Sequence, residues 1–302
     1  MIGDALVDVS ARLAAPLAEG SDTPASVTWE PGGSAANLAA WLAALGVGVT
    51  FVGSVGDDLI GSVQVEDLRG RGVAAEVRSL PGQPTGAVVV LVAPGGDRSM
   101  VTSRGAAAGL LPEHLPRSLF RADVHLHLSG YLLLDHRSRA AGLAALRLGR
   151  AAGMSVSLDP SSREPLRLLG RDRFRRWVRG VDVLFPNLEE GMVLTGLDEP
   201  EAVVTDLLAD CGEVVLSLGE EGALWARGRE RRRLPAAPSR VLDTTGAGDA
   251  FAAGWLSAWL GGAGGGAALE PALKLAALAV SFPGGRPPPG VVVAGFRWQG
   301  AR

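Results

Sequence analysis

From about Val124 onward, short apolar runs alternate with helical patterns along the chain. The run "VHLHLSG" (Val124 to Gly130) predicts a strand, and the pattern from about Asp135 to Ala152 predicts a helix. "MSVSLDP", "VDVLFPN" and "EVVLSLG" predict three further strands with helical segments between them, and "MIGDALVDVS" predicts a strand that enters directly from Met1. Strands separated in this way by helices predict a parallel sheet covered on both faces. Ligands of such sheets gather at the carboxyl ends of the strands. Asp4, Asp159, Asn187 and Gly219 stand at or just after those ends.

Two stretches, about 11–31 and 74–104, break the alternation. They lack helical periodicity, carry the turns "GQPTG" and "APGGD", and hold the β-rich runs "GAVVVLV" and "RSMVTS". They predict a small β-sheet lid standing off an α/β body made of 1–10, 32–73 and 105–302. The glycine run "GGAGGGA" (Gly261 to Ala267) follows a helix rather than a strand, so it reads as a flexible helix–helix connection and not as a phosphate loop.

Within the body, "PGGSAANLAAWLAALG" (Pro31 to Gly46) places Leu38, Trp41, Leu42 and Leu45 on one helical face, with Ser34 as the expected N-cap and Gly46 as the expected C-cap. Gly32 and Gly33 then lie just outside the helix, where bare backbone can meet a ligand, and Asn37 offers a donor and an acceptor in the first turn. A plain turn and helix accounts for the same letters. In "PNLEE", Asn187 and Glu190 are three apart at a helix start; an amide oxygen and a carboxylate suit hydrated Mg²⁺, and a capped acidic first turn explains them equally. In "DTTGAGDAF" (Asp243 to Phe251), glycines open an apolar helix. The N–H groups near Gly246, Ala247 and Gly248 would form an anion hole for a transferring phosphoryl group, and Asp249 would accept the proton of an attacking hydroxyl.

Composition narrows the picture. At 47% hydrophobic and 20% charged, the 302 residues have the balance of a globular enzyme, and the net charge of −3 gives no electrostatic case for nucleic-acid binding. Cys211 stands alone, which excludes an intrachain disulfide and fits a reducing cytoplasm. No apolar run approaches roughly 18 residues, and no basic, then apolar segment opens the chain, so neither a membrane span nor a leader is expected. The one lysine, Lys274, lies in no glycine loop, which excludes a Walker-type P-loop; no H-R-D or D-F-G marks a protein kinase. His125 and His127 share a strand face without identifiable further metal partners, and "RGRERRR" (Arg227 to Arg233) reads as a solvated hairpin or as a partner or phosphate contact.

Together these residues resemble the ribokinase-like (PfkB) carbohydrate kinase family. "GGSAANLAAWLAALG" is similar to its first signature and "DTTGAGDAFAAGW" to its second, with "VGDDLIG", "PTG", "DPSSR", "PNLEE" and "LSLGEEGA" between them in the expected order. The resemblance implies a three-layer α/β/α core with a mostly parallel sheet plus a β lid, and ATP-dependent phosphorylation of a hydroxyl of a small sugar or sugar acid. It implies Asp249 as the base with Gly246, Ala247 and Gly248 as the anion hole, and Asp4, Gly32, Gly33 and Asn37 as sugar ligands. Asn187 and Glu190 would organise Mg²⁺ through water, Ser217, Gly219 and Gly222 would border the nucleotide, and Asp243 and Thr245 would hold a monovalent cation such as K⁺. Arg98 and Arg163 hint at an anionic acceptor, or serve as structural ion-pair partners. Dimerisation through the lid follows from the resemblance alone. A nucleoside kinase of the same family and a non-catalytic sugar- or nucleoside-binding module are the alternatives. A nicotinamide-dependent oxidoreductase is disfavoured because no G-x-G-x-x-G follows the first strand.

Overall fold

The computed structural model describes residues 1–95, 97–289, 291 and 293. Gly96 of the expected lid, the side chain of Arg98, and 290, 292 and 294–302 of the expected body lie outside the described residues. The body holds a sheet in the order β12 (Glu230–Leu234), β11 (Ala223–Arg227), β10 (Cys211–Ser217), β9 (Val181–Leu184), β8 (Ser155–Asp159), β7 (His125–Ser129). β7 to β10 run parallel, and β11 and β12 close the edge as antiparallel strands. Beyond β7, Ile2 bridges to Leu128 on one side and to Val52 on the other, which attaches the parallel pair β3 (Thr50–Gly56) and β4 (Ala74–Leu80).

Successive side chains on a strand point to opposite faces, and the apolar ones here divide accordingly. Val214 and Leu216 join the cluster around Leu146, Phe174 and Val203, whereas Val215 between them joins the cluster around Trp41, Trp255 and Leu273. Helices therefore cover both faces. Leu38, Trp41, Leu42 and Leu45 are all buried, as their spacing predicts, and Gly46 follows the C-cap Leu45 with a φ of 80°. The helix expected from Asp135 begins at Arg139, because Asp135 first makes a turn in which its carboxylate accepts from the N–H of Arg137. The glycine run does connect two helices, Ala247–Leu260 and Leu269–Ala279, and the carbonyl of Gly265 accepts from the Trp255 indole.

A second sheet stands apart in the order β2 (Ala25–Gly32), β1 (Leu6–Leu13), β5 (Ala87–Val92), β6 (Arg98–Ser103). Its composition corrects the expected lid in two places. Leu6 to Ser10, expected in the body, pair within this sheet. Ala74–Leu80, expected in the lid, pairs with β3 instead. The cause is the helix Leu59–Gly70, which carries the chain from β3 back to a parallel neighbour, as a crossover requires.

Candidate functional site

The parallel strands deliver their carboxyl ends to one edge of the body: Ser129 closes β7, Asp159 closes β8, and Ser217 closes β10. The helix Ala247–Leu260 points its N-terminus at the same edge. Between them lies a cleft of about 240 Å³ lined by Gly246, Ala247, Gly248 and Asp249 on one side and Asp159, Asn187, Glu190 and Ser217 on the other. Seven of the residues singled out as catalytic or as nucleotide and Mg²⁺ contacts thus share one cavity with Asp159.

Gly246 caps this helix with a φ of 72°, and a Cβ there would lie 2.5 Å from the Cα of Gly285. Only glycine fits that backbone and that approach. Of the expected anion-hole members, Ala247 already donates its N–H to the Thr244 carbonyl at 3.2 Å. Asp249, in the first turn, is held from two directions. Ser34 Oγ donates to Oδ1 at 2.8 Å, and Asn37 Nδ2 donates to Oδ2 at 2.9 Å. Ser34 is therefore not the N-cap. Gly33 takes that position with a φ of 96°, which leaves the serine hydroxyl for Asp249. Burial pushes the Asp249 carboxyl well above the ordinary aspartate range; the Asn37 and Ser34 bonds oppose that rise, and the charges of Asp159 and Asp4 add to it.

Asp4 is 1% exposed and lies beneath Arg104, whose Nη1 is 3.4 Å from Asp4 Oδ2. Arg104 stacks at 4.1 Å over the ring of Tyr131, which also lines the cleft. Sequence reasoning missed this arginine; its signal was a charge at the junction of β6 and the following short helix. Gly32 and Gly33 serve close packing: a Cβ on Gly32 would strike the Asp8 carboxylate, and one on Gly33 would lie 2.5 Å from the Asp4 carbonyl. Asp8 was missed as well. Burial, reinforced by Asp4, raises it to about 6.

Asn187 and Glu190 form a reciprocal cap, Asn187 Oδ1 accepting from the Glu190 N–H at 2.8 Å and Glu190 Oε2 from the Asn187 N–H at 3.0 Å. Burial and the neighbouring Asp159 charge hold Glu190 well above its usual range, against the Asn187 bonds. Gly219 and Gly222, with φ of 61° and 97°, shape the turn after β10. Asp243 Oδ1 accepts from the N–H and the hydroxyl of Thr245, and Oδ2 accepts from the Gly284 N–H. Arg163 is exposed and pairs with Glu189 at 3.1 Å, the ion-pair role named as its alternative, and it does not line the cleft. For Arg98 the backbone lies in β6 and the side chain is outside the description.

The histidine pair is structural. His125 bonds Ser155 and Ser157, His127 bonds Ser157, and burial lowers both pKa values, which keeps the rings neutral. They border a larger cavity of about 620 Å³ at the far ends of the strands, which contains none of the predicted site residues. Arg227 to Arg233 form the β11–β12 hairpin, with Arg233 paired to Glu201 and Glu221. No helix among the described residues is long and apolar enough to cross a membrane.

The model of the pfkB family carbohydrate kinases matches residues 1–289. Among curated proteins, the ATP-dependent ribose-1-phosphate kinase of Halopiger xanaduensis is 34% identical over 91% of this chain and 88% of its own length. The crystal structure of adenosine kinase from Sinorhizobium meliloti superposes with a TM-score of 0.85 at 30% identity, covering 95% of this chain and 94% of that one. A putative ribokinase II from E. coli, solved in complex with ATP and Mg²⁺, gives 0.83 at 26% identity over 94% and 92%. The expected ribokinase-like fold is thereby established, and the chain belongs to the pfkB family and is a carbohydrate kinase, a phosphotransferase with an alcohol group as acceptor.

Proposed function

We propose that the protein uses ATP to phosphorylate a hydroxyl, a primary one, of a small sugar, with Asp249 as the general base. The observation that supports this reading is the pairing of Asp249 with a helix N-terminus that opens on Gly246, in one cleft. The γ-phosphate would lie over the first turn, where N–H groups and the helix dipole favour anions. The acceptor hydroxyl attacks the γ-phosphorus in line. Its O–P bond forms as the bond to the β–γ bridging oxygen breaks, ADP leaves, and Asp249 takes the hydroxyl proton. A carboxyl whose pKa is raised by burial is a stronger base once ionised.

Glu190 and Asp159 are neighbouring carboxylates whose charges oppose each other, a setting that a divalent cation relieves. In this reading Asn187 and Glu190 organise Mg²⁺ through water. The ion supplies charge neutralisation on the phosphates. Ser217, Gly219 and Gly222 border the nucleotide, and Asp243 and Thr245 hold a monovalent cation such as K⁺. Asp4, Gly32, Gly33 and Asn37 bound the acceptor side, and the four-stranded sheet closes over it to exclude water. The reaction is placed in the cytoplasm, where ATP is supplied. A nucleoside acceptor is the second reading, favoured by the 30% identity to the adenosine kinase.

The far face of the lid carries Trp29, Val9, Val89 and Val101 as successive cross-strand partners. Trp29 is 59% and Val101 62% exposed. A second copy of the chain, presenting the same face, would cover this row and make a homodimer. The function is tested by ADP release from MgATP across a panel of sugars, sugar acids and nucleosides, with and without K⁺. Turnover with one acceptor, lost in Asp249→Asn, is expected; no ADP release with any acceptor, while ATP still binds, would overturn it.

A further inference from the structure

Past the last described helix, the chain turns back through "FPGGRPP" (Phe282 to Pro288) and buries an arginine beneath the site. The Arg286 side chain is 3% exposed. Its Nη1 meets Asp67 Oδ2 at 2.5 Å, its Nη2 donates to the Gly32 carbonyl and to Gln64 Oε1, both at 2.8 Å, and its Nε donates to Asn37 Oδ1 at 3.3 Å. The loop itself is anchored by the Trp41 indole, which donates to the Gly285 carbonyl at 2.9 Å.

A guanidinium has donors and no acceptor, so it faces the oxygen of the Asn37 amide and not its nitrogen. The nitrogen is thereby directed at Asp249 Oδ2. The flipped amide would set its NH₂ against the guanidinium and its carbonyl against the carboxylate, losing both bonds. We infer that Arg286 is a positioning residue for phosphoryl transfer, fixing the orientation of the Asn37 amide so that it holds Asp249 in place and stabilises its ionised form. A donor polarised by a cation behind it also makes the stronger hydrogen bond. The inference rests on the reading of Asp249 as the base.

The charges around this relay are Asp4 and Asp159, which face Asp249, and Asp67, Arg71 and Asp8, which face Arg286. Ser34 supplies the other hydrogen bond to Asp249 and does not touch Arg286. Removing Arg286 therefore leaves Asp249 with one firm donor while the acidic neighbours remain.

The test is the pH profile of kcat for the wild type, Arg286→Met and Arg286→Lys, with melting temperature and acceptor affinity measured alongside. The acid limb should move up by about one pH unit in Arg286→Met, a roughly tenfold loss of kcat on that limb, with little change on the alkaline plateau. Arg286→Lys keeps a charge for Asp67 but not the guanidinium fork, and should shift the limb by a smaller amount in the same direction. It also decides the matter should the methionine variant not fold. An acid limb unmoved in the folded variants, with stability alone reduced, would make Arg286 a structural residue only. Asp249→Asn is run in parallel: full turnover there removes the base and the relay together, whereas a dead Asp249→Asn with unmoved Arg286 variants removes the relay alone.

Discussion

Gly246 and Gly285 pack backbone to backbone, so that a methyl group on Gly246 would lie 2.5 Å from the Cα of Gly285. One opens the helix that carries Asp249; the other belongs to the loop that carries Arg286. A Cβ on Gly285 would in turn strike Asn37 Nδ2. Gly246→Ala meets this contact and also a φ of 72°, so it should destabilise the fold by about 1–3 kcal/mol and abolish turnover. Thermal unfolding and ADP release check it. A stable, active alanine variant would mean that the approach is not needed.

Asp249 depends on donors from the helix Ser34–Ala44. Burial raises its carboxyl, and the two donors pull it back. The ionised form is the base, so activity rises with pH through the Asp249 pKa. Asn37→Ala and Ser34→Ala should each move the acid limb of kcat to higher pH, with a loss of about tenfold on that limb for each unit. Titration of kcat at saturating acceptor reads this directly, and a downward shift would contradict it.

Asp8 predicts a stability effect of opposite character. Its carboxyl is raised from the ordinary 3.8 to about 6 by burial and by Asp4. Between those values the folded protein holds a proton that the unfolded chain has released, so the stabilisation is complete below pH 3.8 and is lost as pH rises through 6. Asp8→Asn should therefore be more stable than the wild type at pH 8, by about 1–3 kcal/mol, with the gap closing towards pH 4. Urea unfolding at the two pH values decides. A gap that widens on acidification would be the wrong sign.

Trp29 and Val101 lie on the outer face of the lid sheet. Trp29→Asp places a charge in the proposed dimer face and should turn a dimer into a monomer in sedimentation, with the fold intact. A wild type that sediments as a monomer at high concentration would remove the dimer.

Much of this site was legible because its parts are short and local. The apolar stripe of Leu38, Trp41, Leu42 and Leu45 marks its helix, and the glycines before Asp249 mark a helix that opens on a ligand. What was not legible depends on distant pairing. Arg286 reaches Asn37 across 249 positions, from a loop without periodicity. Ser34 looked like a cap because caps are what serines before helices usually are, and only the placement of Asp249 shows its hydroxyl turned away. Ala74–Leu80 alternates like a lid strand; the preceding helix Leu59–Gly70 was the signal that it returns to the body.

The most direct test of the central claim is single-turnover transfer from MgATP to the accepted sugar in Asp249→Asn, with acceptor binding measured on the same protein. Binding retained with transfer down about 10²-fold or more is the result expected for loss of the general base. Transfer at the wild-type rate would show that Asp249 does not take the proton.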